Sequence, residues 1–382
     1  MACSSPVSRP QGYLQPVGSH DEANWLAEPF NYRGVIVIAT ETVNGIEVQV
    51  VTLTDGVYRA VLTDVGARLI ELHVPDANGV LADVVLQRPT LGEMATDENY
   101  FGSTAGRYAN RIRSGRLEID GNPVQLSVNE GDNHLHGGLS GFDRKVWSIE
   151  SARTANEVTF WRISPDGEEG YPGALTTSVT YRLQDGALTV DIRATTDAVT
   201  VANIVHHSYF NLGGHDAGTV LDHVLEIRGS HYLPVDDDLL PTGEIRPVDG
   251  TPFDFRTPKA IGRDIAEVEN AGAGRPTGDI VGYDHNWVLD GSGMREVLVA
   301  TDPASGRRLT LSTNQPGLQL YVGGYLEGVT GKPPVNTYPA FGGFTLETQL
   351  FPDSVNHSDF PDAELRPGAL YHNAIRFDFS AS

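Results

Sequence analysis

The chain has 382 residues, 40% of them hydrophobic and 20% charged, with a net charge of −23. That apolar content supplies a core for one large domain or two smaller ones and excludes disorder as the main state. The 42 glycines and 23 prolines follow no fixed period, which excludes collagen and coiled coil and points to abundant turns. Lys and Arg are scattered rather than clustered, so nucleic acid and membrane are poor partners for so acidic a protein, and small neutral ligands remain open. The single cysteine, Cys3, allows no intramolecular disulfide and no thiolate metal cluster, in keeping with a reducing compartment.

The first residues, MACSSPVSRPQGYLQ, lack the charged-then-apolar order of a signal peptide, so a soluble cytoplasmic protein is expected. Residues 1–44 are rich in Ser, Pro and Asn without a sustained period; they read as an extension carrying at most one short strand, with a single domain over 45–382. From Ile46 onward the dominant pattern is alternation: Leu188, Val190 and Ile192 face one way, Thr189, Asp191 and Arg193 the other, as in a half-buried strand. Similar runs recur at Leu117 to Ile119, Val158 to Ile163, Val224 to Ile227, Leu309 to Leu311 and Ile375 to Phe379. Asp-Gly pairs at 55, 120, 166, 185, 249 and 290 supply hairpin-turn signals. Helical signals are confined to Leu91 to Glu98 and Asp264 to Asn270, both short and peripheral. The fold class expected is all-β, a large antiparallel β-sandwich; a propeller lacks its blade period, and a doubly wound α/β fold its long helices.

Standard catalytic signatures are absent: no G-x-x-x-x-G-K-[ST], no G-x-S-x-G, no H-E-x-x-H and no C-x-x-C. Polar residues concentrate instead in GRYANRI (106–112), NHLHGG (133–138), HHSYFNLGG (206–214), DHN (284–286), QPGLQ (315–319) and FTLETQ (344–349). In extended backbone His207 and Tyr209 share one face, opposite His206, Ser208 and Phe210. Thr345, Glu347 and Gln349 likewise share a face, and so do Gln319 and Tyr321. Adjacent strand histidines diverge and no carboxylate–histidine spacing supports a metal site.

The blocks GRYANRI, NHLHGG, HHSYFNLGG, DHNWVL, NQPGLQLYVG and GFTLETQLFPDSVNHSDFP, in that order, closely resemble the galactose mutarotase (aldose 1-epimerase) family over about residues 46–380. The resemblance implies a β-sandwich with an open sugar cleft and cofactor-independent interconversion of α and β anomers of aldohexoses such as glucose or galactose. It implies Glu347 as general base, His207 as general acid, and Asn110, Arg111, His136, Asp284 and Gln319 as sugar-contacting residues. One departure is His206, where the family commonly has Asn. If the alternation holds, His206 faces away from the sugar.

The chemistry asks for residues of this kind. Opening a hemiacetal ring requires a base at the C1 hydroxyl and an acid at the ring oxygen, and closure onto the other face of the aldehyde inverts the anomeric centre. No metal or nucleotide is required. Carboxylate, amide and guanidinium groups suit the sugar hydroxyls, and Tyr209, Tyr321 or Trp287 could cover its C–H faces. Simpler readings exist for several positions: Arg111 pairing internally, Asp284 capping a turn, His134 and His136 as structural partners in a Gly-rich loop. Two other functions compete, a glycoside hydrolase using Asp284 and Glu347 as a carboxylate pair, and a non-catalytic sugar-binding protein. The expected partner is a monosaccharide, and the assembly a monomer or homodimer.

Overall fold

The structure is a computed structural model that describes residues 37–150, 156–268 and 282–382. Three antiparallel sheets carry most of the chain. A nine-stranded sheet runs in the order Ser148–Glu150, Glu157–Ser164, Leu175–Gln184, Ala187–Thr196, Tyr371–Ala381, Arg307–Thr313, Arg295–Thr301, Val224–Ile227, Lys259–Ala260. A six-stranded sheet is ordered Tyr209–Phe210, Phe344–Gln349, Gly317–Tyr321, Asp284–Val288, His231–Tyr232, Arg246–Pro247. The third, of five strands, takes Val37–Val43, Ile46–Asp55, Tyr58–Thr63, Arg68–Pro75 and Leu81–Asp83 in chain order.

The alternation read from sequence decides how these sheets stack. Val179, Tyr181, Val190, Ile192, Ile375 and Phe377 of the nine-stranded sheet join Leu53 and Leu62 of the five-stranded sheet and Trp287, Leu318, Leu320, Phe344 and Leu346 of the six-stranded sheet in one buried cluster. Their alternate neighbours turn outward: Trp161 and Ile163 are exposed on the outer face of Glu157–Ser164. The result is the β-sandwich expected, with its core between facing sheets.

Turn chemistry sets the hairpins in part. Asp120-Gly121 and Asp185-Gly186 close two-residue loops, with φ of 48° and 76° in the first and 52° and 77° in the second. Both central residues are left-handed, as the tightest hairpin turns demand. Asn44-Gly45 makes the same turn, with φ of 51° and 80°. It pairs Val37–Val43 along its length with Ile46–Asp55, so the sheet begins seven residues before the extension was expected to end. Asp166, Asp249 and Asp290 lie in wider loops. At Asp166 the loop is held open because the carbonyls of Ser164, Pro165, Pro172 and Gly173 all accept hydrogen bonds from the buried Arg107 guanidinium.

Among the described residues helix is limited to one α-turn and five 3-10 turns. The expected helix at Leu91 to Glu98 stops after Met94. Thr90 caps it, its hydroxyl accepting from the Glu93 N–H at 3.2 Å, but the Asp97 carboxylate then takes the N–H groups of Asn99 and Phe101 and draws the chain into a loop. The one at Asp264 to Asn270 is a 3-10 turn over Ile265–Glu267, its last two residues lying outside the described ones. Among the described residues no helix is long and apolar enough to cross a membrane.

Because Phe377 is fully buried where all three sheets converge, Phe377→Ala is expected to lower unfolding free energy by about 3–5 kcal/mol. Ile163→Thr, on the outer face, should change it by no more than about 0.5 kcal/mol in the same denaturant titration.

Candidate active site

The outer face of the six-stranded sheet is polar where its inner face is apolar, and the strand register lines up its side chains. Asn286 pairs with Gln319, and Gln319 with Glu347, across three adjacent strands. Asp284, Gln319, Tyr321, Thr345, Glu347 and Gln349 therefore share the face opposite Trp287, Leu318 and Leu346. His207 arrives from the neighbouring strand Val205–His207, which pairs with Ser103–Ala105. Tyr209, two residues on, pairs with Thr345. His207 and Glu347 thereby meet at 3.4 Å between Nε2 and Oε1, both almost wholly buried.

Their surroundings favour neutral forms. Burial, reinforced by the nearby Asp284 charge, pushes the Glu347 carboxyl up to about 8, against the Thr345 hydroxyl, which donates to its Oε1 at 3.1 Å, and the Arg111 charge. Burial pulls the His207 imidazole down to about 4. Glu347 Oε2 and Gln319 Oε1 are buried without a hydrogen-bond partner in the protein. Such acceptors are costly unless a ligand supplies the missing donors.

The second wall comes from the GRYANRI and NHLHGG blocks. Arg111–Ile112 pairs with His134–Leu135, and the left-handed residues Asn110 (φ 62°) and His136 (φ 49°) flank that bridge. The Asn110 N–H donates to His136 Nδ1 at 3.2 Å. Burial holds the His136 imidazole neutral, so an Nδ1 that accepts leaves the proton on Nε2 and makes that nitrogen a donor. Asn110 Oδ1 accepts from the Arg111 N–H at 2.9 Å, which leaves the Nδ2 group to offer a ligand. Arg111 forks onto Glu130 at 2.7 and 2.8 Å and stands 4.0 Å from Asp284, whose Oδ1 accepts from Gln319 Nε2 at 2.7 Å. The internal pairing of Arg111 is thus real, and the same pairing aims it at Asp284.

All seven expected site residues enter these contacts: Glu347 with His207, Asn110 with Arg111 and His136, Asp284 with Arg111 and Gln319. The His136 and His207 rings stand edge to face with centroids 5.1 Å apart, which joins the two groups. Other readings are settled differently. His134 is a structural residue, its Nδ1 at 2.7 Å from the Ser127 carbonyl and its Nε2 at 2.6 Å from the Tyr171 hydroxyl. Trp287 is fully buried and donates to the Phe253 carbonyl, so it cannot cover a sugar in the cleft. Tyr321, half-buried on the cleft face, and Tyr209 remain in position. His206 points into the sandwich against Phe377, 3.1 Å from the Tyr181 hydroxyl.

The structure also brings together what sequence spacing did not: ligand-type atoms of His136, His207 and Glu347 lie within 4.8 Å of one another. Two histidines and a carboxylate could hold a transition metal. Here, however, the Asn110 amide fixes the His136 proton on Nε2, where a metal would need the lone pair. Three residues not singled out from the sequence also touch candidate site residues: Thr345 at Glu347, Glu130 at Arg111, and Tyr100, whose ring centroid lies 4.6 Å from that of His136. Thr345 was readable, two residues before Glu347 on the same strand face; Glu130 and Tyr100 sit in loops whose sequence carries no periodicity to place them.

Comparison with known proteins finds relatives over most of the chain. A family model described as aldose 1-epimerase matches residues 49–378. Human galactose mutarotase is 42% identical over 318 residues, covering 83% of this chain and 90% of that protein. The aldose 1-epimerase of Escherichia coli K12 is 34% identical over 325 residues, 84% of this chain and 91% of that one. Among solved structures, a galactose 1-epimerase from Lactobacillus acidophilus superposes with a TM-score of 0.78 at 28% identity, covering 91% of this chain and 99% of that one. An aldose epimerase homologue from C. elegans superposes with a TM-score of 0.77 at 32% identity, covering 85% of this chain and 96% of that one.

The burial of His207 has a direct spectroscopic consequence. An ordinary histidine is mostly protonated at pH 5.5, whereas its ¹⁵N imidazole signals should remain those of a neutral ring until the pH approaches about 4. From its sequence and its sheet architecture alike, the chain belongs to the aldose 1-epimerase family.

Proposed function

We propose that this protein is a cofactor-independent aldose 1-epimerase acting on aldohexoses such as galactose or glucose, with Glu347 as general base and His207 as general acid. The observation that carries the assignment is the buried pair at 3.4 Å, delivered by two different strands to one polar sheet face. Glu347 as carboxylate removes the C1 hydroxyl proton while His207 Nε2–H protonates the ring oxygen, and the C1–O5 bond breaks to give the open-chain aldehyde. Rotation about C1–C2 presents the other carbonyl face. Closure reverses the roles, Glu347 returning a proton to the C1 oxygen and His207 recovering one from the C5 hydroxyl.

The remaining residues fit a polyol. The Asp284 carboxylate accepts from hydroxyls; Arg111, His136 Nε2–H and the Asn110 amide donate; the free Gln319 Oε1 accepts. Asp284 is already engaged by Gln319 and faces Arg111, which suits a fixed acceptor rather than the proton-donating acid of a hydrolase. An uncharged ligand also avoids repulsion by a chain of net charge −23.

The pair must carry one proton to work. With both groups protonated there is no base, and with neither protonated there is no acid. Between about 4 and about 8, the values to which burial drives His207 and Glu347, one proton is shared by the two.

Polarimetry tests the reading. Freshly dissolved α-D-galactose or α-D-glucose should reach its equilibrium rotation faster than the buffer blank, and rates equal to the blank for both sugars would refute it. Glu347→Gln keeps shape and removes the base, so kcat should fall about 10²–10⁴-fold with far less change in KM. Full activity in that variant would remove Glu347 from the mechanism.

A further inference from the structure

We propose that Tyr100 is a positioning residue for this reaction, its ring holding the His136 and His207 imidazoles in the orientation that ring opening needs. The inference rests on the assignment of His207 as the acid. The Tyr100 ring lies 4.6 Å from the His136 ring and 5.8 Å from that of His207, tilted by 49° and 43°. With the 5.1 Å contact between the histidines it completes a triangle of three rings. One aromatic face thus restrains both the proton donor and the neighbouring imidazole.

The backbone argues that this placement serves more than packing. Tyr100 has φ of 58°, a left-handed conformation suited to Gly or Asn and unfavourable for a bulky aromatic. The conformation is fixed from both sides. The Ser103 N–H and hydroxyl both donate to the Tyr100 carbonyl, at 3.1 and 3.0 Å, while Asp97, held by Arg88 and Arg68, binds the N–H groups of Asn99 and Phe101. Reversal of the chain there sends consecutive aromatics opposite ways: Phe101 packs on Tyr209 and Tyr338, Tyr100 on the histidines. Phe101 is fully buried, whereas Tyr100 keeps partial exposure, as expected of a side chain that lines a cleft. A residue present only to stabilise this turn would be Gly or Asn.

The test separates the two roles by reading catalysis and stability together. Tyr100→Gly relieves the backbone and removes the ring. Its kcat should fall about 10- to 100-fold with KM changed less than about 3-fold. Its melting temperature should stay within about 3 °C of the wild type. Tyr100→Phe keeps the ring and should bring kcat back to within about 3-fold of the wild type. Tyr100→Leu keeps apolar bulk without an aromatic face, and its kcat should fall like that of the Gly variant even if the Gly variant does not fold. Wild-type kcat in Tyr100→Leu would overturn the proposal. So would a Tyr100→Phe enzyme as slow as Tyr100→Leu, since the hydroxyl would then be the group that matters. Absence of anomer exchange in the unaltered protein would instead overturn the epimerase assignment.

Discussion

Burying a carboxyl and an imidazole 3.4 Å apart is the constraint around which the site is organised. Neither group can be taken out of water cheaply as an isolated ion, and the low dielectric shifts both toward neutrality. That same shift suits the reaction. In the proposed mechanism ring opening moves one proton, through the sugar, from His207 to Glu347, so the open-chain aldehyde would lie beside a neutral carboxylic acid and a neutral imidazole. Burial therefore favours the protonation state that accompanies the intermediate, while Thr345 and Arg111 temper the penalty on the carboxylate form that precedes it. A reversible epimerisation needs both states within reach, and an exposed pair would hold the ionic form too firmly.

The surrounding fold keeps that pair apart from bulk water and fixed in orientation. Three parallel chains of support converge on it: the strand register that sets Asn286, Gln319 and Glu347 side by side, the hairpin bridge that turns Asn110 and His136 inward, and the loop that lays Tyr100 over both histidines. Each uses backbone geometry, not a flexible side chain, to place its polar group, and this is how a site on strand faces and short bridges acquires precision. The loop after Gln349 adds to this. Asp353 receives the Arg113 N–H while its own N–H donates to the Arg111 carbonyl, so the end of the FTLETQ segment holds the strand that carries Arg111.

Strand alternation was legible in the sequence, and with it the face on which His207, Glu347 and Gln319 would lie; Asp284 joins that face only through its pairing with Tyr321. It also placed His206 correctly, in the sandwich beside Tyr181 and Phe377 and away from the polar face that carries Glu347. Asp-Gly pairs identified tight turns only where the flanking strands pair directly, as at 120 and 185. At 166 the buried Arg107 requires a wide loop of carbonyls, which no local signal announces. The end of the Leu91 helix was hidden for a similar reason, because Asp97 competes for N–H groups through its side chain. Its aromatic ring made Trp287 one of three candidates to cover a sugar, yet its indole serves the core; contacts between distant segments, such as Arg111 with Glu130, were invisible to periodicity.

In the proposed mechanism Glu347 and His207 act as one unit sharing a single proton. The pH dependence of kcat/KM for anomer exchange, followed by polarimetry with the spontaneous rate subtracted at each pH, tests it most directly. A shared proton should give a plateau bounded by an acid limb near 4, where His207 gains a second proton for the pair, and an alkaline limb near 8, where Glu347 loses the shared one. A profile that stays flat through both limits, or one whose limbs persist unchanged in Glu347→Gln, would contradict it.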